Sequence, residues 1–212
     1  MKLALFSLLF LLACCSALRS SAVIKSDLLA CLRRARPGRA AETLASELEA
    51  STLDARPSLA AQSRDHVNGL WELLYSNRAA VLPSALEGRA LQLAQIEKVY
   101  QNIRITDSPA DSEVQNILAL KGVFGDAKVV LQHDVEITSN SDPAQMAIYL
   151  KELRVSIGGT TLPALPVLPY RINKLLSAGY FDVSFVDEDL RISRGVFGEL
   201  RVFRRASGEL LV

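Results

Sequence analysis

The sequence predicts a mostly β protein, in which an antiparallel sheet of about eight strands closes on itself after a short helical segment. Segments rich in Val, Ile and Tyr recur at short intervals after Asn68, with turn residues between them. Apolar and polar residues alternate within these segments, as in Phe181-Asp182-Val183-Ser184, which predicts one buried and one wet face of a sheet. The residues before Asn68 instead carry leucines at helical spacings.

The composition excludes several classes of protein. The chain has 212 residues, of which 50% are hydrophobic and 22% charged, and this excludes a disordered chain. A net charge of +1 removes the electrostatic argument for nucleic-acid binding. Two histidines and three cysteines leave little material for metal or thiol chemistry, and the common phosphate-loop, dinucleotide and nucleophile-elbow motifs do not occur. We therefore expect a protein that is not an enzyme and has no cofactor, no metal and no nucleic-acid partner.

Residues 1–17 have the pattern of a secretory-type signal. Lys2 is followed by an apolar run over residues 3–13, and small residues lead to Ala17. The run is shorter than the roughly 20 residues that span a bilayer. A second interpretation stays open, in which Cys14 becomes the lipidated N-terminus of a bacterial lipoprotein. After cleavage at Ala17 the remaining thiol is Cys31, which forms no internal disulfide and favours a destination in a reducing compartment.

Residues 18–66 are expected to form the helical segment. Ser26 and Asp27 suit the start of a helix. Pro37-Gly38 divides the stretch into two short helices, because proline and glycine both interrupt helical structure.

Residues 67–212 are expected to form the barrel. The segments with strand character are Trp71–Ser76, Leu91–Thr106, Glu113–Leu120, Lys128–Thr138, Met146–Ile157, Tyr180–Val186, Leu190–Ser193 and Leu200–Arg204. His133 falls among the apolar residues of its strand, which favours a buried core histidine over a base or a metal ligand. The acidic residues 187–189 lie between two strands, where a turn explains them at least as well as acid–base catalysis does.

A barrel of eight strands can hold one small ligand among its inward side chains. Large apolar side chains at expected inward positions are the candidate lining residues, with ordinary core as the competing interpretation of each: Trp71, Val135, Ile137, Phe181, Val183 and Phe185. Gly69-Leu70-Trp71 opens the first strand and Arg191 lies on a late one. This pair matches the closing device of a lipocalin-like barrel, in which a guanidinium lies over the indole ring.

The loop of residues 158–169 combines two glycines, three prolines and four large apolar side chains. Proline keeps such a segment out of the interior of a sheet. The apolar residues are Leu162, Leu165, Val167 and Leu168. If they point outwards, they form a membrane contact or a site of ligand access; if they fold inwards, they plug one end of the barrel.

Several short sequence segments resemble those of the plastid-lipid-associated protein family, whose members are also called fibrillins or plastoglobulins. They are residues 68–76 (NGLWELLYS), 99–103 (VYQNI), 114–117 (VQNI) and, most specifically, 185–195 (FVDEDLRISRG). The likeness extends over about residues 25–205. Phe185 and Val186 stand where the family usually has Tyr and Leu, and Arg201 interrupts the last hydrophobic strand.

The resemblance implies a lipocalin-like barrel that binds or organises lipids in plastids, at thylakoids or lipid globules, without a catalytic residue set. The expected ligands are fatty acids, prenyl quinones or carotenoids. The alternative is a structural module whose filled barrel docks on a membrane, a lipid globule or a lipid-synthesis enzyme. A secretory-type leader on such a protein suggests a plastid enclosed by extra membranes, since these import proteins through a secretory first step.

Overall fold

A computed structural model of the chain describes residues 19–34, 36–51, 64–77, 94–122, 125–137, 145–163, 179–196 and 198–207. The signal predicted for residues 1–17, with Cys14, lies outside the described residues. Contacts divide the chain into two units, Met1–Asp54 and Ala55–Val212. The boundaries predicted at residues 17 and 66 stay predictions.

The first unit contains two α-helices, α1 (Ser21–Leu32) and α2 (Gly38–Ser51). Helix α1 begins earlier than expected, since Ser20 rather than Ser26 is its N-cap and accepts a hydrogen bond from the amide of Val23. Each helix buries one apolar stripe, made of Ile24, Leu28 and Cys31 in α1 and of Ala41, Ala45 and Leu48 in α2. Within the described residues, no helix is long and apolar enough to cross a membrane.

The second unit contains a short helix α3 (Arg64–Val67), a 3-10 turn (Pro109–Asp111) and the strands. The strands are β1 (Gly69–Ser76), β2 (Ala94–Arg104), β3 (Glu113–Gly122), β4 (Gly125–Ile137), β5 (Gln145–Ile157), β6 (Thr160–Thr161), β7 (Gly179–Val186), β8 (Leu190–Gly195) and β9 (Leu200–Arg205). Each of the eight predicted strands lies at its predicted place, with ends that differ by a few residues.

The strands form one antiparallel sheet that returns to its starting point. Strands β1 to β5 pair in chain order, β5 pairs with β7, and β7, β8 and β9 again pair in order. Strand β9 pairs with β1, which completes the ring, while the two-residue β6 adds only to β5. The ring and the helical N-terminal segment confirm the predicted fold class.

The strand register defines the inner face of the ring. Directly opposed residues point to the same side of a sheet, and Trp71 opposes Gln101 on one side and Arg205 on the other. The same face carries the main buried apolar cluster, which comprises Val67, Trp71, Ile103, Ile105, Val114, Val135, Met146, Ile148, Phe181, Val183 and Phe203. The main buried apolar cluster of this unit therefore lies inside the ring.

A β-bulge in β7 corrects one prediction. Val183 opposes Ser193, but the register shifts before Phe185, which opposes Ile192. One extra residue in a strand reverses which face the following side chains occupy. Phe185 therefore lies on the face away from the cluster, and Val186 packs against the cluster in its place.

Candidate functional site

Trp71 lies at the centre of the candidate site. Its side chain is completely buried, and the indole Nε1 donates a hydrogen bond of 2.8 Å to the carbonyl oxygen of Val67. Gly69, two residues earlier, has a φ of +124°, and a Cβ there would lie 2.7 Å from Nη1 of Arg205. Both facts require glycine, because other residues rarely adopt such a φ and would collide with the guanidinium. The Gly-x-Trp spacing thus makes room for an arginine.

Arg205 lies over the indole, with its guanidinium carbon 4.4 Å from the ring centroid of Trp71. All three guanidinium nitrogens donate to backbone carbonyls: Nε to Glu188 at 2.6 Å, Nη1 to Asn68 at 2.9 Å and Nη2 to His66 at 2.5 Å. These bonds join the end of β9 to the chain before β1 and to the turn between β7 and β8. We call Arg205, Trp71, Gly69 and the three carbonyls the Arg205 cluster.

Arg191 approaches the same indole. Its guanidinium carbon lies 5.2 Å from the ring centroid of Trp71 and 4.2 Å from that of Phe203, within the range of cation–π attraction. Arg191 opposes Phe203 in the sheet and is completely buried. A fully buried arginine is rare unless it is paired.

The hydrogen bonds of Arg191 are incomplete. Nη2 donates to Oε1 of Gln101 at 2.5 Å, and Nε2 of Gln101 donates to Oδ1 of Asn116 at 2.9 Å. Among the described residues, Nε and Nη1 of Arg191 have no hydrogen-bond acceptor. The buried hydroxyl of Ser193 likewise has no hydrogen-bond partner among these residues. Ser193 follows two positions later in the same strand and shares the inner face. We call Arg191, Gln101, Asn116 and Ser193 the Arg191 cluster.

The charge around Arg191 is positive. Burial lowers the pKa of Arg191 to about 9, and the nearby cations Arg201 and Arg205 act in the same direction. The guanidinium therefore still carries its charge at pH 7. Arg201 opposes Ser193 on the inner face, and burial also lowers its pKa, while Glu199 opposes that shift.

His133 occupies the inner face of β4 and is mostly buried. Its Nδ1 lies 3.3 Å from the carbonyl oxygen of Val114. Burial lowers the pKa of the imidazole below its ordinary value, although the backbone contacts partly oppose this effect. The residue is thus placed as a core histidine. Within the described ranges, no three His, Cys, Asp or Glu side chains are grouped as metal ligands.

Comparison with known proteins identifies the family. The PAP_fibrillin family model matches residues 29–204. The chain belongs to the PAP/fibrillin family. It is also 28% identical over 177 residues to "Plastid-lipid-associated protein 6, chloroplastic" of Arabidopsis thaliana, a match that covers 77% of this chain and 60% of that relative. The fibrillin chain thus spans less than two thirds of the length of this relative. No solved structure matches it significantly.

The structure of this fibrillin brings most of the candidate lining residues together. Trp71, Val135, Phe181 and Val183 belong to one buried cluster. Ile137 shares their face, opposite Met146, but lies at the end of β4 with 38% of its surface exposed. Phe185 points away because of the bulge, so its prediction as a lining residue is wrong.

The predicted closing pair is also brought together, with an addition that sequence reasoning missed. Arg191 is within cation–π distance of Trp71, but Arg205 is closer and makes the hydrogen bonds to the backbone. The alternation of Arg201, Phe203 and Arg205 in β9 was a signal for this, because it puts Arg205 on the face of Trp71. The role of Arg191 in barrel closure stays a prediction.

The remaining predicted residues lie in the 158–169 loop and the 187–189 turn. Leu162 is 45% exposed, whereas Leu165, Val167 and Leu168 lie outside the described residues. In the turn, Oδ1 of Asp187 accepts hydrogen bonds of 2.8 Å from the amides of Asp189 and Leu190. The carboxylate of Asp187 therefore stabilises the connection between β7 and β8, as turn chemistry predicts.

Proposed function

We propose that this fibrillin is a non-catalytic protein that binds and organises lipids inside a plastid, at thylakoid membranes or lipid globules. The family and a relative named as plastid-lipid-associated and chloroplastic support this proposal. The observation that carries it is the closed sheet with one apolar cluster on its inner face. Such an interior suits an acyl or prenyl chain, because each buried methylene contributes about 0.8 kcal/mol.

The proposal is tested by titrating the delipidated full chain with palmitic acid and with a prenyl quinone. We expect saturable binding of at least one of the two, since about six buried methylenes yield roughly 5 kcal/mol before the costs of association. Absence of saturable binding for both would contradict an internal ligand.

A pair of variants on β7 locates the ligand. Val183→Phe adds volume to the inner face and should weaken binding, because the larger ring occupies space that the ligand needs. Tyr180 lies on the opposite face of the same strand and is 39% exposed. Tyr180→Phe is therefore the matched control and should bind as the wild type does. Equal affinities of the two variants would place the lipid elsewhere.

A second function, docking on a membrane or on a lipid-synthesis enzyme, is favoured by one observation. Ile157 and Leu162 are 41% and 45% exposed at the hairpin formed by β5 and β6. Exposed apolar side chains close together are typical of contact surfaces. Leu162→Ser should then abolish flotation with lipid vesicles or capture of the enzyme, without changing the melting temperature. Unchanged flotation and capture would exclude this hairpin as the contact.

A further inference from the structure

The unpaired charge of Arg191 calls for an explanation. A guanidinium carries five N–H groups and accepts none, and in the folded chain only Nη2 has an identified acceptor among the described residues. No carboxylate of the described residues pairs with it, and its charged neighbours Arg201 and Arg205 are both cations. A buried charge without a partner is among the costliest features in a protein interior.

The surroundings of Arg191 leave part of its donor capacity unused by the fold. Arg205 already provides the stacking on Trp71 and the bonds to the backbone. Gln101 holds one side of the Arg191 guanidinium, and Asn116 in turn accepts from the amide of Gln101, so that Arg191 is fixed in position. The unused N–H groups are therefore held in position on the inner face, which the Ser193 hydroxyl shares.

We propose that the Arg191 cluster binds the carboxylate of a single-chain amphiphile, of the class of long-chain fatty acids, whose tail packs on the apolar cluster inside the ring. The proposal rests on the lipid-binding function proposed above and names the ligand class for it. An anion there gains charge-assisted hydrogen bonds from Nε, Nη1 and the Ser193 hydroxyl.

The neighbours of the site favour an amphiphile over a small anion. Phe203 and Trp71 lie on the guanidinium, and Val183 and Val186 follow on the adjacent strand. A carboxylate held at Arg191 thus continues into apolar surroundings, where an alkyl chain is stabilised and a hydrated ion is not. A prenyl quinone has an apolar tail but no anionic group, so Arg191 would contribute less to its binding.

The test compares ligands that differ only in the headgroup. The delipidated full chain is titrated with palmitic acid, hexadecanol, acetate and a prenyl quinone. We expect palmitate to bind about tenfold or more tightly than hexadecanol, as expected of hydrogen bonds to a charged group. Acetate should bind far more weakly than palmitate.

Two arginine variants test whether Arg191 causes the preference for palmitate over hexadecanol. Arg191→Gln removes the charge and should bind palmitate and hexadecanol with equal affinity. Arg204→Gln is the matched control, since Arg204 lies on the outer face of β9, 54% exposed and paired with Glu72, and it should keep the wild-type preference. A preference retained in Arg191→Gln would overturn the proposal. If Arg191→Gln does not fold, the headgroup comparison on the wild type decides alone.

The failures of the two proposals are distinguishable. Equal binding of palmitate and hexadecanol, or binding of the quinone without palmitate, overturns the carboxylate site while lipid binding stands. If acetate binds as tightly as palmitate, the proposal of an amphiphilic ligand is wrong and the site binds small anions. If none of the four ligands binds, the proposal of an internal lipid is contradicted as well.

Discussion

Two arginines of this fibrillin lie against the same tryptophan, but they differ in their hydrogen bonds and in their burial. Arg205 donates from all three guanidinium nitrogens to backbone carbonyls. Arg191 is more deeply buried, yet among the described residues it has an acceptor for only one nitrogen. The donors of Arg205 are used by the fold, whereas those of Arg191 are left available to a ligand.

The largest effect on stability is expected from Arg205→Ala. Three hydrogen bonds and the contact with Trp71 are lost, and the carbonyl of Asn68 loses its donor, so the free energy of unfolding should fall by about 3 kcal/mol. Denaturant unfolding measures this change. The control is Arg204→Ala, one residue away, whose exposed ion pair with Glu72 is worth about 0.5 kcal/mol. Equal losses for the two variants would contradict the structural role of Arg205.

A smaller loss is expected from Gly69→Ala, about 2 kcal/mol, because of the positive φ and the Cβ contact with Arg205. Part of the loss comes from the displaced guanidinium, so the double variant with Arg205→Ala should be less destabilised than the sum of the single ones. Strict additivity in denaturant unfolding would show that the glycine serves only its own backbone conformation.

The pH dependence of stability should contain a contribution from His133. Burial lowers its pKa in the folded state below 6.5, so the unfolded chain binds more protons and stability falls as the pH drops below about 6.5. The loss is at most about 1.4 kcal/mol per pH unit for one proton. Denaturant unfolding of the wild type and of His133→Asn, at pH values above and below about 6.5, measures this loss as a difference in the free energy of unfolding. A difference independent of pH would show that His133 titrates normally.

The smallest effect on stability is expected from Arg191→Gln, in contrast to the large loss expected from Arg205→Ala. Removal of a buried charge without a carboxylate partner leaves the free energy of unfolding unchanged or raises it by up to about 1 kcal/mol, although two cation–π contacts and the hydrogen bond to Gln101 are lost. Thermal unfolding without lipid provides the measurement. A loss as large as that of Arg205→Ala would mean that Arg191 is part of the closing structure.

The alternation of residues predicted the strands well, because alternating apolar side chains reflect a sheet with one buried face, as in Val129–Ile137 of β4. It also placed Trp71, Phe181 and Val183 correctly on that face. It failed at Phe185, since a bulge depends on the backbone of two paired strands rather than on local composition. The stacking of Arg205 on Trp71 likewise depends on the pairing register of β1 and β9, in which these two residues are opposed.

The ionisation state of a bound headgroup reports directly on the carboxylate site proposed at Arg191. Palmitic acid labelled with carbon-13 at its carboxyl carbon is bound to the full chain and followed by NMR as the pH falls from about 7 to about 4. In the wild type the carboxylate should stay ionised below its ordinary pKa, because a buried guanidinium favours its charged form. In Arg191→Gln it should become protonated at a higher pH, since burial alone raises a carboxyl pKa. If the carboxyl group titrates at the same pH in both proteins, it is not bound by Arg191.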